Sequence, residues 1–245
     1  MICRNYAHRG FSEQYPENTM PAFEAALEAG CEGIELDVQF SRDGRLVIIH
    51  DEAINRTSGR AGLVRELTFD ELREIDFSFR FRKKFGFQRI PTLSEYFELI
   101  RDRDIITNIE LKTGVFEYPG IEAAVLETIR KFGLEKKVLI SSFNQRSVLR
   151  MKALAPEIAC GFLSDRPIPN AGEYIRSHGV EAYHPHFCLL TKKAMDELRA
   201  HDIRINVWTV NRKSDIRRMI ALGVDGIISN NLERTAAVLR KAGLR

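Results

Sequence analysis

Two short segments carry more acid than an ordinary buried strand tolerates. In GIELDVQF, residues 33–40, Ile34, Leu36 and Val38 alternate with Glu35, Asp37 and Gln39. Side chains two apart on a strand share a face, so Glu35 and Asp37 point the same way. In NIELK, residues 108–112, Asn108, Glu110 and Lys112 share a face in the same manner. Glu35, Asp37 and Glu110 are hard oxygen donors. Converging, they suit one Mg2+ or Ca2+ ion, with Mn2+ a third candidate, rather than a soft metal. The plainer alternatives are a half-solvated strand, or a salt bridge from Lys112 to one of these acids. His8 ends the first strand-like run and His50 ends the apolar run VIIH, and imidazole is suited to proton transfer near neutral pH. Arg9 and Lys112 favour an anion, most simply a phosphate. A cation, two imidazoles and a phosphate point to metal-assisted hydrolysis of a phosphoester.

Such residues need a scaffold that brings distant strands to one place. Strand-like and helix-like runs alternate from end to end: CRNYAH, then a helix from Thr19 to Gly30, then GIELDVQF, then RLVIIHD as a hairpin arm. ITNIELK, VLISSF, IACGFL, VEAYHPHF, RINVWTV and DGIISN follow as strands, each trailed by a helical segment. That makes eight βα units with one excursion near residues 51–90. Alternation argues for a parallel sheet with helices outside, and eight units in 245 residues fit a closed (β/α)8 TIM barrel. The expected architecture is one α/β domain over residues 1–245, with a small insertion after the second strand. An open doubly wound sheet is the alternative, but no glycine-rich dinucleotide fingerprint is present. In a barrel, Ile34, Leu36 and Val38 would pack against helices, and Glu35 and Asp37 would point inward.

Composition narrows the function. Hydrophobic residues are 44% and charged residues 29%, which allows a large core, and a net charge of +3 is too small for a nucleic-acid footprint. Four cysteines, Cys3, Cys31, Cys160 and Cys188, form no CxxC pair and are expected to be reduced thiols. MICRNYAHRG lacks the pattern of a secretory signal, and no stretch is apolar enough for a membrane span. A cytoplasmic location is expected, and the oligomeric state is left open.

The motifs HRG (8–10), PENT (16–19), ELD (35–37), DG (43–44), HD (50–51) and ELK (110–112) occur in that order. With NRTS (55–58), IPTL (90–93), VWTVN (207–211) and GVDGII (223–228), the chain resembles the glycerophosphodiester phosphodiesterase family over nearly its whole length. The resemblance implies hydrolysis of a small-molecule glycerophosphodiester to sn-glycerol 3-phosphate and an alcohol. Carried over by position, Glu35, Asp37 and Glu110 would hold the cation. His8 and His50 would be the acid–base pair, and Arg9 and Lys112 would contact the phosphate. SNNLE (229–233) stands where a TDxP-like run is common, a departure expected to affect pocket shape and not the chemistry. Two rivals are lysophospholipase D type hydrolysis, favoured by an apolar channel from the insertion to the site, and a non-catalytic phosphoester-binding barrel.

Other residues divide between site and scaffold. His184 and His186 share a face in YHPHF, as pocket lining or as structural hydrogen-bonding groups. Trp208 and Phe143 lie near strand ends, as substrate walls or as core. Asn18 is expected to satisfy turn backbone, and Glu17 either does the same or orients ligating groups. In FSFRFRKKFGF, residues 77–87, phenylalanines interleave with basic residues. The plain reading is a subdomain burying Phe under Arg and Lys stems. The functional one is a lid that selects the alcohol group, with a membrane or single-stranded nucleic-acid surface as further options.

Overall fold

The computed structural model describes residues 3–244. Eight parallel strands close into a ring: β1 (Arg4–His8), β2 (Gly33–Phe40), β4 (Ile106–Leu111), β5 (Val138–Ser142), β6 (Ala159–Ser164), β7 (Ala182–Pro185), β8 (Arg204–Val207) and β9 (Gly226–Ser229). β1 pairs with both β2 and β9, which closes the barrel. β3 (Leu46–Ile48) is the hairpin arm, antiparallel to β2.

Around the ring lie α1 (Met20–Glu28), α5 (Leu93–Ile100), α6 (Ile121–Phe132), α7 (Gln145–Leu154), α8 (Ala171–Ser177), α9 (Lys192–Ala200), α10 (Lys213–Leu222) and α11 (Leu232–Lys241). The insertion supplies α2 (Asn55–Ser58), α3 (Phe69–Arg73) and α4 (Arg82–Phe85). Capping boxes start α3 and α5: Thr68 with Glu71, and Thr92 with Glu95, each satisfy backbone N–H groups that the first helical turn leaves unpaired.

The period-two pattern of β2 sorts its side chains as expected. Ile34, Leu36 and Val38 are fully buried in the layer between sheet and helices, with Phe23 of α1 and Tyr96 and Phe97 of α5. Glu35 and Asp37 take the inward face. Below them Tyr6 fills the barrel floor, because Gly33 and Gly226 on the two flanking strands leave room for its ring. A Cβ at Gly33 would come within 2.2 Å of that ring.

The insertion has a separate small core of Val47, Ile49, Ile54, Val64, Leu72, Ile75, Phe77 and Ile90. Of the five phenylalanines in 77–87, Phe77 is buried there while Phe79 and Phe87 are half exposed. The Lys84 ammonium lies over the Tyr15 and Phe85 rings, 5.4 and 4.9 Å from their centres, a cation–π contact. None of the four cysteines is in a disulfide among the described residues. No helix among them is long and apolar enough to cross a membrane.

Candidate active site at the barrel mouth

Strand register brings the acids together. Asp37 and Glu110 are cross-strand partners on β2 and β4, and His8 and Glu35 are partners on β1 and β2. Ligand atoms of Glu35, Asp37 and Glu110 all lie within 4.8 Å of one another, and all three side chains are buried. Lys112 Nζ donates to Glu110 Oε1 at 2.9 Å, so the ion pair weighed as the plain alternative exists alongside the cluster. Arg9 N donates to Glu35 Oε2 at 3.0 Å, and Asn18 Nδ2 donates to Asp37 Oδ2 at 2.8 Å.

The cluster is electrostatically incomplete. Burial and the Asp37 and Glu110 charges push the Glu35 carboxyl well above its ordinary range. Burial also raises Glu110, against the pull of Lys112. Burial alone would raise Asp37, but Arg9, His50 and Lys112 outweigh it and bring the group down to about 2. Asp37 Oδ1 is buried without a hydrogen-bond partner, which is costly for a carboxylate oxygen. A hard divalent cation meets all of these demands at once, so the residues fit such an ion.

Two imidazoles flank the cluster. His8 Nδ1 donates to Asn230 Oδ1 at 2.6 Å, which leaves Nε2 as an acceptor, 3.9 Å from Glu35 Oε2. Burial and the Arg9 guanidinium bring His8 down to about 3, so its ring is neutral near pH 7. His50 Nδ1 donates to Asp51 Oδ1 at 2.5 Å, and Lys112 Nζ donates to His50 Nε2 at 3.2 Å. The Gln39 amide, inward on β2 beyond Asp37, reaches the carbonyl oxygens of Ile49, His50 and Asp51 at 3.0–3.1 Å and pins that loop.

His8, Arg9, Glu35, His50 and Glu110 line a cavity of about 130 Å3 with Phe143 and Trp208 on its wall. The two aromatic rings meet edge to face at 5.4 Å, and Trp208 Nε1 donates to the His184 carbonyl at 2.7 Å. A wider hollow of about 390 Å3 sits at the N-terminal ends of the strands, against Arg4, Tyr6 and Arg204. It holds none of these groups, and it lies at the end opposite to where barrel enzymes do chemistry.

Four expectations change. His184 is fully buried inside the barrel, its Nε2 3.1 Å from Asn206 Nδ2, and it does not line the cavity. β7 ends at Pro185, so His186 lies beyond the strand, and its ring packs on Trp208 at 5.3 Å. Asn18 serves Asp37 and not the turn backbone, from a left-handed conformation with φ 54°. The SNNLE departure reaches further than pocket shape, because Asn230 holds His8 directly.

Sequence reasoning also missed the partners of Glu17. Its carboxylate accepts from Arg9 Nη1 at 2.9 Å and from Arg56 Nη1 and Nη2 at 2.6 and 2.7 Å. The acidic HD and PENT motifs beside the arginine of NRTS were the available signal.

The model of the glycerophosphoryl diester phosphodiesterase family matches residues 8–234. A glycerophosphodiester phosphodiesterase of Caldanaerobacter subterraneus subsp. tengcongensis is 40% identical over 237 residues, covering 97% of this chain and 98% of the relative. One of Bacillus altitudinis is 42% identical over 236 residues, covering 95% and 96%. Among solved structures, an Oleispira antarctica phosphodiesterase in complex with the product sn-glycerol-3-phosphate superposes with TM-score 0.89. It is 28% identical, with 98% of this chain and 97% of that one covered. With the ring of strands, the acid cluster and the motif order, the chain belongs to the glycerophosphoryl diester phosphodiesterase family.

Proposed function

We propose that this protein hydrolyses glycerophosphodiesters to sn-glycerol 3-phosphate and an alcohol, with Glu35, Asp37 and Glu110 holding one divalent cation and His8 and His50 moving the protons. The observation that carries the proposal is the buried three-carboxylate cluster, with Asp37 Oδ1 unpaired, beside a cavity that Glu35, Glu110 and both imidazoles line. The product bound to the Oleispira relative supports the same substrate class.

A divalent cation there supplies Lewis-acid stabilisation of charge on the phosphoryl oxygens. Arg9, at the cavity wall, adds a fixed positive charge, and Lys112 adds a second beside His50. His8, neutral with its Nε2 lone pair free, takes the proton from the attacking oxygen. His50 enters the step as the imidazolium, held through Nδ1–H by Asp51, and delivers its Nε2 proton to the leaving alcohol oxygen once Lys112 has turned away from that nitrogen. The attacking oxygen belongs to water or to the substrate's neighbouring glycerol hydroxyl, and early accumulation of a cyclic phosphate identifies the second. Phe143 and Trp208 offer the glycerol carbons an apolar wall.

The lysophospholipase D alternative needs an apolar route from the insertion to the site. A cavity of about 260 Å3 beside the insertion shares no lining residue with the site cavity, and Glu17 and Arg56 line it on the side towards Arg9. The void that touches both Glu17 and His50, lined by Ile48, Ile49 and Phe77, is about 10 Å3, too small for an acyl chain.

Leaving-group chemistry tests the roles of the histidines. Nitrophenolate departs without a proton, so on glycerophospho-p-nitrophenol His50→Ala should keep near wild-type turnover. On glycerophosphocholine the same variant should lose about 10²-fold or more. His8→Ala should lose comparable activity on both substrates. The reverse pattern exchanges the two roles, and near-normal turnover of both substrates by both variants rejects the assignment.

A further inference from the structure

Arg56 belongs to the insertion, yet its guanidinium joins two carboxylates of the active-site loops. Nε donates to Asp51 Oδ2 at 2.5 Å, while Nη1 and Nη2 donate to the two oxygens of Glu17 at 2.6 and 2.7 Å. Each carboxylate passes the constraint on. Asp51 Oδ1 accepts from His50 Nδ1 at 2.5 Å, and Glu17 Oε1 accepts from Arg9 Nη1 at 2.9 Å. Arg9 Nε in turn lies 3.4 Å from Asp37 Oδ2. One cation thus ties an imidazole on one side of the mouth to a guanidinium on the other.

Gln39 pins the backbone of the His50 loop and the Arg9 N–H bonds Glu35, but the Asp51–Arg56–Glu17 chain joins the two side chains to each other. His50 sits on a loop two residues past the three-residue β3, and Arg9 sits in a turn at φ 55°. Only a planar fork with donors on two edges grips both carboxylates in this way, and a lysine ammonium does not. α2 is itself held by Ile54, which is fully buried in the insertion's core.

We propose that Arg56 is a positioning residue for phosphodiester hydrolysis: by clamping Asp51 to Glu17 it fixes the His50 ring and the Arg9 guanidinium, and it makes turnover depend on the folded insertion. The inference rests on the reaction proposed above. Arg56 touches neither the acid cluster nor the site cavity, so it acts through its partners. Catalysis is steeply sensitive to such placement, since a displacement of about 1 Å can cost about 10²-fold.

The test compares kcat and KM of the full chain on glycerophosphocholine, with saturating divalent cation, for wild type, Arg56→Ala and Arg56→Lys. Arg56→Ala should lower kcat about 10–100-fold with KM changed less than about threefold. Arg56 lines the 260 Å3 cavity, so free guanidinium can reach the gap and should restore part of the lost kcat while leaving wild type and His50→Ala unchanged. Arg56→Lys keeps the charge and the stem, guards against a variant that fails to fold, and should still lose about tenfold in kcat. Wild-type kcat in Arg56→Lys, a loss confined to KM, or a loss that guanidinium does not relieve would overturn the proposal.

A readout independent of turnover separates this inference from the reaction it rests on. The proton between His50 Nδ1 and Asp51 should give a downfield resonance in 15N-histidine-labelled wild type that disappears in Arg56→Ala. Persistence of that resonance in a folded Arg56→Ala overturns the clamp even if hydrolysis is confirmed. Its loss upholds the clamp even if wild type fails to cleave the diester.

Discussion

Adding Mg2+ or Ca2+ to the chelated protein should raise its melting temperature, and by more at pH 8 than at pH 5. The three carboxylates are 4%, 0% and 8% exposed, so water relieves little of their repulsion, and an ion that binds only the folded state adds its binding free energy to stability. At about a hundred times its dissociation constant, such an ion contributes about 2.7 kcal/mol. For a chain of this size each kcal/mol moves the midpoint by about 2–4 °C, so the expected rise is about 5–10 °C.

The pH dependence follows from the metal-free carboxyls. Glu35 and Glu110 are raised in the folded state, which therefore binds more protons than the unfolded chain. Their stabilising contribution is complete below the unfolded value of about 4.3, and it is lost as pH rises through the folded values. A proton competes with the ion for these raised carboxyls more strongly at pH 5 than at pH 8. Asp37 runs the other way. Its contribution is present above about 4 and lost only as pH falls towards about 2, so it does not distort the comparison. Differential scanning calorimetry with chelator and with each ion, at both pH values, measures the effect. A midpoint unmoved by millimolar ion at pH 8, or an equal rise in Asp37→Asn, would refute the reasoning.

Other substitutions probe the surroundings. Asn18→Gly keeps the left-handed backbone but removes the bond to Asp37, and calorimetric titration should show cation affinity down about 10–100-fold. Trp208→Ala removes the aromatic wall proposed for the glycerol carbons, and steady-state kinetics should show KM rising about tenfold with a smaller change in kcat. Leu72→Ala empties a fully buried position in the insertion's core, and urea unfolding should show a loss of about 2–4 kcal/mol.

The alternation in β2 and β4 made the acid cluster legible, because a period of two assigns side chains to faces and a closed barrel then aims one face inward. The same logic failed for His184 and His186, where the strand ends at Pro185 and the shared face does not continue. Contacts that depend on chain closure were out of reach. His8 and Asn230 are 222 positions apart and meet only because β1 pairs with β9. The Glu17–Arg56–Asp51 clamp was hidden for a related reason, since it exists only once the insertion has folded over the first loop. Gln39 continues the inward face of Glu35 and Asp37, but its three carbonyl partners lie in a loop whose path periodicity does not encode.

Anomalous diffraction from crystals soaked in Mn2+ is the most direct check that acids from β2 and β4 meet around one ion. A single strong peak should appear within about 2.0–2.6 Å of oxygens from Glu35, Asp37 and Glu110 together, with Asp37 Oδ1 among them. A peak elsewhere, or none while Arg9 and Lys112 keep the carboxylates fully paired, would contradict the metal-assisted chemistry assigned to this mouth.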